Sequence, residues 1–168
     1  MELRFQVNYL AGYLLARELS PPRVVNVASA GQAPIDFDDP MITRGYSGTR
    51  AYGQSKLAQI MSGFELAGRI SATEITVNSL HPATYMPTKI VLAEVGSSID
   101  TLQTGVAATY RLVSDPGLDG VTGQFFNKTH TARAHRQAYD RNARAELWNR
   151  SLQLTGEPDI ATEPGRPG

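Results

Sequence analysis

Tyr52 and Lys56, in Tyr52-Gly53-Gln54-Ser55-Lys56, are the residues of this chain best spaced for chemistry. On a helix, residues four apart share a face, so a phenol hydroxyl and an ammonium can converge on one point. A free tyrosine titrates at about 10 and is protonated at neutral pH. A fixed positive charge beside it favours the phenolate, which makes the pair an acid/base group. Ser29 stands at the end of the apolar run 24–28. A serine hydroxyl at the carboxyl end of a strand can hold an alcohol or carbonyl oxygen against the tyrosine. Together the three groups outline the proton-transfer side of a hydride-transfer reaction. Tyr-x-x-x-Lys alone is a pair that any exposed helix can carry, so the weight falls on the company it keeps.

The elements that must position these groups follow from apolar spacing. Residues 2–19 read as a helix, with Leu3, Val7, Leu10 and Leu14 at helical intervals and Phe5, Tyr13 and Leu15 on other faces. Such a helix expects cover on several sides. Ser20-Pro21-Pro22 stops it, and the β-branched run 23–28 reads as a buried strand. Residues 30–49 carry Gly, Pro and Asp without a period and form a long loop, of the kind that is functional or mobile. Residues 50–71 are a second helix with Leu57, Ile60, Phe64 and Ala67 on one stripe, and 75–80 a second strand ended by His81-Pro82. The segment to Val95 holds at most one short helix, and Ile99, Leu102, Val106, Tyr110 and Val113 mark a third clear helix. Residues 124–126 form a brief last strand, 132–154 a charged and mostly exposed helix with Tyr139, Leu147 and Trp148, and 156–168 a disordered tail. Strands alternating with helices imply an α/β fold, a parallel sheet of about three strands covered by helices on both faces.

Bulk properties narrow the function. The 168 residues make one domain or part of one. Sixteen basic residues balance sixteen acidic ones, so no net field draws the chain to nucleic acid or anionic membrane. Arg133, Arg136, Arg141 and Arg144 interleave with Asp140 and Glu146, which reads as a solvated face. The absence of cysteine excludes disulfides and thiolate chemistry, and His81, His130 and His135 are not spaced as a metal site. No signal peptide or apolar stretch of spanning length occurs, so a cytoplasmic protein without a membrane span is expected. His81 reads as a loop or core histidine, and Trp148 with Tyr139 as packing for the last helix.

The combination resembles the short-chain dehydrogenase/reductase family over most of the chain, to about Gly156, with a texture most like the retinol-dehydrogenase-like branch. Asn8, in Val7-Asn8-Tyr9-Leu10-Ala11-Gly12, falls where that family has a helix asparagine, although alone it would pass for a surface residue. Ser29 matches the serine after the fifth strand, and Tyr52 and Lys56 match the signature pair. Asn78-Ser79-Leu80-His81-Pro82-Ala83 resembles the segment after the sixth strand, with Ala83 where a glycine is usual. The resemblance implies NAD or NADP as cofactor, held by Tyr52, Lys56, Pro82, Ala83 and a threonine near the nicotinamide carboxamide, Thr84 or Thr88. It implies that Tyr52 gives or takes the proton and that Lys56 holds the nicotinamide ribose and lowers the tyrosine pKa. Ser29 would position the substrate oxygen, and Asn8 would loosen its helix and hold a relay water. The substrate would be a small alcohol or carbonyl compound, the reaction an oxidation or reduction, and a homodimer would form through helices 2–19 and 50–71.

Against that family pattern the chain lacks its opening. No Gly-x-x-x-Gly-x-Gly turn meets a cofactor pyrophosphate at a helix start, and Met1 directly precedes the asparagine-bearing helix. Residues 1–155 are therefore expected to be the carboxyl-terminal half of a Rossmann-type doubly wound sheet, an NAD(P)-binding domain without its glycine-rich half. Weak or no activity is expected of the chain alone. The alternative is a non-catalytic remnant or dimerising interaction module.

Overall fold

Short runs of three to six residues make the sheet. In the computed structural model, which describes residues 1–19 and 21–160, these are β1 (Arg23–Val27), β2 (Thr76–His81), β3 (Phe125–Asn127) and β4 (His130–Ala132), in the order β1-β2-β3-β4. Ser20, part of the expected helix stop, and residues 161–168 of the expected tail lie outside the described residues. The first three strands are parallel, with Val27 opposite Leu80 and Leu80 opposite Phe126. Strand β4 is an addition to the three expected: it turns back antiparallel on β3, with Asn127 opposite His130. In the sequence its three residues read as loop and as the start of the last helix, because so short a hairpin carries no period of its own.

Both faces of the sheet are covered, as parallel strands require. The chain enters through a π-helical stretch, Phe5–Leu10, which runs directly into α1 (Ala11–Leu19). Helix α2 (Gly48–Arg69) crosses back to β2, and α5 (Arg141–Thr155) closes the same side. Tyr9, Tyr13, Leu57, Ile60, Met61, Val77, Phe125, Leu147 and Trp148 form the core there. On the opposite face α4 (Leu102–Ser114) packs with Leu80, Ala108, Leu112, Leu118 and Phe126. A short exposed helix, α3 (Lys89–Val95), stands between β2 and α4, and it buries none of its residues.

Two helices turn a face to the core that differs, in part or in whole, from the expected one. In the first, Leu10 of the expected stripe is buried and Leu14 packs against the core, but Phe5, Tyr9 and Tyr13 are buried too, whereas Leu3, Val7, Ala11, Leu15 and Leu19 are exposed. The π-turn widens the winding, so an aromatic i, i+4 row shares the inner face with the later half of the aliphatic stripe. In α4 the expected stripe Ile99, Leu102, Val106, Tyr110 and Val113 is exposed, and Gly105, Ala108 and Leu112 face the sheet. Small residues let the helix approach closely: a Cβ on Gly105 would run into the Met86 side chain. Helix α2 is inside on most sides, and Tyr52, Lys56, Gln59, Ser62 and Glu65 lie on its less buried side.

Strand β1 is an edge of the sheet: its composition reads as a buried strand, whereas the want of the family's opening strands implies an edge unpaired on one side, and the edge is what is found. Its residues are half-buried, and Val27 is 43% exposed. Thr76 N–H donates to Pro22 O and Ala28 N–H to Leu80 O. By the alternation of a parallel ladder, Arg23, Val25 and Val27 therefore turn their backbone groups to the other side. The helix expected over 132–154 is divided: a 3₁₀ turn at Arg136–Tyr139 precedes α5, which Asp140 caps by accepting from the Asn142 and Ala143 N–H groups. The helix buries Leu147 and Trp148. Beyond Gly156 the first residues of the expected tail are docked: Pro158 O accepts from Arg17, and Asp159 accepts from Arg69 at 3.0 Å and from Trp148 Nε1 at 3.2 Å.

Candidate active site

Ser29 leaves the sheet where β1 ends. The Ala28 N–H is fixed by Asn26 O and Leu80 O, and the buried Ser29 Oγ accepts from the Gly31 N–H at 3.0 Å. The loop that follows is tied down at several points. Gln32 Nε2 donates to Ser29 O at 2.8 Å, while Gln32 Oε1 accepts from the His135 N–H at 2.7 Å. Gln137 pairs with both backbone groups of Ile35, at 2.7 and 3.0 Å. Asp39 folds its carboxylate over Thr43 and the Arg44 N–H, and those backbone N–H bonds hold its pKa down to about 2. Loop 30–49 is thus built as a fixed surface.

Helix α2 starts behind this loop, with Ser47 as its cap. Tyr52 lies in its second turn and Lys56 one turn later. The Lys56 ammonium is 5.9 Å from the centroid of the Tyr52 ring, donates to Val27 O at 2.9 Å and lies 3.4 Å from Gln59 Oε1. Val27 O is the last outward carbonyl of the β1 edge, so Lys56 satisfies the strand group nearest Ser29. Burial pushes the Lys56 pKa below its ordinary value. A Cβ placed on Gly31 would lie 3.5 Å from Ser29 Oγ and 3.7 Å from Tyr52 Cε1. The serine hydroxyl and the tyrosine ring therefore flank one small space that glycine leaves open. Gly53, next to Tyr52, lets α2 approach the loop: its Cβ would meet Ala33 Cβ at 2.8 Å.

Asn8 joins from the π-helical stretch. Its Nδ2 donates to Ser55 Oγ at 3.1 Å, and Ser55 Oγ donates to Tyr52 O at 2.8 Å. The asparagine thus bonds to the turn of α2 that carries Tyr52 and Lys56, from a segment with widened helical winding.

Residues 82–84 leave the adjacent strand at the level of Ser29, since Val27 lies opposite Leu80. Pro82 and Ala83 are buried. The Thr84 hydroxyl lies 3.0 Å from His81 Nε2, and its N–H donates to Asp100 Oδ2 at 2.7 Å. Thr88 is occupied as the cap of α3, where it accepts from the Val91 N–H. Of the two threonines, Thr84 is the one next to the strand end. Burial and the Lys128 charge lower the His81 pKa, with Asp100 opposing them. The sequence pattern had not singled out Gly31, Gln59, Ser55 or Asp100. Only the first left a signal, a glycine two residues beyond a strand-end serine.

A cleft lined by Tyr9, Gly12, Asn26, Gln59, Gly63 and Trp148 opens along the flank of β1; Gln59 borders it, whereas Asn8, Ser29, Tyr52, Lys56 and residues 82–84 do not. No helix among the described residues is long and apolar enough to cross a membrane.

No family model matches the chain. It aligns with retinol dehydrogenase 14 of Homo sapiens at 30% identity, over 92% of this chain and 52% of that protein. A crystal structure of an uncharacterised protein from Mycobacterium paratuberculosis superposes with a TM-score of 0.66 at 30% identity, over 90% of this chain and 58% of that one. A 4-hydroxyisoleucine dehydrogenase mutant complexed with NADH and succinate shares the fold, with a TM-score of 0.52 at 23% identity, over 73% of this chain and 55% of that one. The chain spans about half the length of the curated relatives it matches.

Proposed function

The chain belongs to the short-chain dehydrogenase/reductase family, and on that premise we propose that its site serves an NAD(P)-dependent oxidoreductase acting on the alcohol or carbonyl of an apolar small molecule. The observation that carries the reading is that Ser29 Oγ and the Tyr52 ring flank the space at Gly31, with the Lys56 ammonium 5.9 Å from the ring centroid. The names of the retinol dehydrogenase relatives support an alcohol substrate, and the NADH of the third neighbour supports a nicotinamide cofactor.

The donor set suits the nicotinamide–ribose end of such a cofactor. Lys56 gives one N–H to Val27 O and has Gln59 Oε1 as a second, longer partner, which leaves a donor for a ribose hydroxyl. Residues 82–84 form the wall at the end of β2, with the Thr84 hydroxyl or that of Thr88 toward the carboxamide. The sequence holds no glycine-rich turn for the phosphates, so these residues serve the nicotinamide end only. A bound nicotinamide supplies or accepts the hydride.

The chain's own groups handle the proton. Ser29 Oγ holds the substrate oxygen in the space beside Gly31, where the Tyr52 hydroxyl reaches the same atom. In reduction Tyr52 protonates that oxygen, and in oxidation it takes the proton away. Lys56 fixes positive charge on the Tyr52 face without help from bulk water, since it is half-buried and bonded to the strand edge. Asn8, anchored on Ser55, holds the water that returns the proton from Lys56 to solvent. The test is reduction of an apolar aldehyde by NADH or NADPH. Turnover is expected to fall by about two orders of magnitude or more in Tyr52→Phe, the range of a lost general acid. Equal turnover in wild type and Tyr52→Phe would overturn the assignment.

A second reading, a non-catalytic self-associating module, has one observation of its own. Leu3, Val7, Ala11, Leu15 and Leu19 make an exposed apolar stripe along the first helix. Sedimentation separates the readings: a dimer that Leu15→Glu dissociates, in a chain without turnover, favours the module.

A further inference from the structure

Among the described residues three without a glycine's freedom hold positive φ: Ile42, Tyr85 and Lys128. A left-handed backbone is disfavoured for such residues and persists where the surroundings hold it in place. Tyr85 and Lys128 belong to one cluster beyond the end of β2. Lys128, at φ 55°, opens the two-residue turn between β3 and β4, a place where glycine would be unstrained.

The side chain accounts for the lysine. Its Nζ donates to Asp100 Oδ1 at 2.8 Å, and its backbone N–H donates to His81 O at 2.7 Å. Asp100 uses its other oxygen, Oδ2, to accept the Thr84 N–H at 2.7 Å. Two backbone bonds run alongside: Asp100 N–H to Thr84 O and Ile99 N–H to Tyr85 O, both 3.0 Å. The stretch 84–100 is thereby closed at its base, and the closure is tied through Lys128 to the β3–β4 turn. Helix α3, inside that stretch, buries no residue that could hold it in place. The Lys128 ammonium and the Thr84 N–H keep the Asp100 carboxyl below its ordinary range.

We infer that Asp100 and Lys128 are positioning residues: their ion pair latches loop 84–100 to the β3–β4 turn and so fixes Thr84 at the nicotinamide end of the site. What binds at Thr84 rests on the function proposed above, whereas the latch rests on the geometry alone. Asp100→Asn removes the charge with little change of shape. Lys128→Gly removes the ammonium and relieves the backbone, so it is expected to fold at least as well as the wild type.

Hydrogen–deuterium exchange reads the latch directly. Exchange of the Thr84, Ile99 and Asp100 amides, which the closure bonds, is expected to quicken about tenfold or more in both variants, as befits the loss of a charge-assisted bond. The amides of β2 keep their rates, and Lys128→Arg restores slow exchange. Binding of reduced nicotinamide mononucleotide, followed by its fluorescence, is expected to weaken about tenfold in the same two variants and to recover in Lys128→Arg. Asp119→Asn, which breaks the Arg23 ion pair elsewhere on the fold, leaves nucleotide binding unchanged. Unaltered exchange in Asp100→Asn and Lys128→Gly overturns the latch. Quickened exchange with undiminished nucleotide binding overturns the positioning role. Failure of the wild-type chain to bind the nucleotide overturns the cofactor reading and the positioning role with it, while the exchange rates decide the latch separately.

Discussion

Gly53→Ala is expected to destabilise the protein, and Gly68→Ala, in the same helix, to stabilise it. A Cβ at position 53 would lie 2.8 Å from Ala33 Cβ, 3.0 Å from Ala33 N and 3.4 Å from the carbonyl carbon of Gln32. None of these atoms is the free end of a long side chain. Normal contact begins at about 3.5 Å, so loop and helix must separate by roughly 0.7 Å. The loop resists, because Gln32 is bonded to Ser29 and His135, and Ile35 to Gln137. Overpacking of this kind costs about 1–3 kcal/mol. Exchanging glycine for alanine in a helix returns up to about 1 kcal/mol, which leaves Gly53→Ala less stable by about 0–2 kcal/mol. At Gly68 a Cβ meets nothing within 4 Å, so only the helix preference acts. The difference between the two variants isolates the loop contact at about 1–3 kcal/mol, several degrees in Tm for a chain of this size. Thermal and urea unfolding followed by circular dichroism measures it. A Gly53→Ala protein as stable as Gly68→Ala would refute the claim that α2 is wedged against a rigid loop.

Further outcomes follow from the same geometry. Gly31→Ala adds a methyl at ordinary contact distance from both Ser29 Oγ and Tyr52 Cε1, so it should fold normally and lose about 100-fold in kcat/KM by displacing substrate; unchanged turnover would place the substrate oxygen elsewhere. His81 should titrate below its usual 6.5 by NMR, lower still in Asp100→Asn and higher in Lys128→Gly, because the two charges act on it in opposite directions. As its folded pKa lies below its unfolded one, His81 costs stability as pH falls from about 6.5 through the folded value, and denaturation midpoints across that window check the sign. Asp39, held down to about 2, should contribute stability that is complete above its ordinary 3.8 and lost as pH falls toward 2. Asp39→Asn should flatten that part of the stability profile.

Much of this was legible in the residues, for identifiable reasons. The Tyr52–Lys56 face, Ser29 at a strand end and residues 82–84 beyond the next strand depend on spacing within one element and on strand order, both of which the pattern of apolar runs preserves. Which face of a helix is buried depends on its neighbours. Helix α4 buries Gly105, Ala108 and Leu112 and exposes Val106 and Tyr110 because closeness to the sheet outweighed hydrophobic size. The π-turn around Asn8 likewise brought an aromatic row, Phe5, Tyr9 and Tyr13, into the core beside Leu10 and left Leu3 and Val7 outside. The pairing of Asp100 with Lys128 spans 28 positions and joins a helix approach to a hairpin, so no local pattern announces it.

Whether Ser29, Tyr52 and Lys56 form a site for the nicotinamide end of a cofactor is decided by titrating the purified chain with NADH and reduced nicotinamide mononucleotide while following their fluorescence. Weak saturable binding of both is expected, with affinities set by the shared nicotinamide–ribose end. Lys56→Ala, which removes a charged donor, should reduce both by roughly tenfold to a hundredfold. A folded chain that binds neither nucleotide, or that binds them equally well with and without Lys56, would contradict such a site.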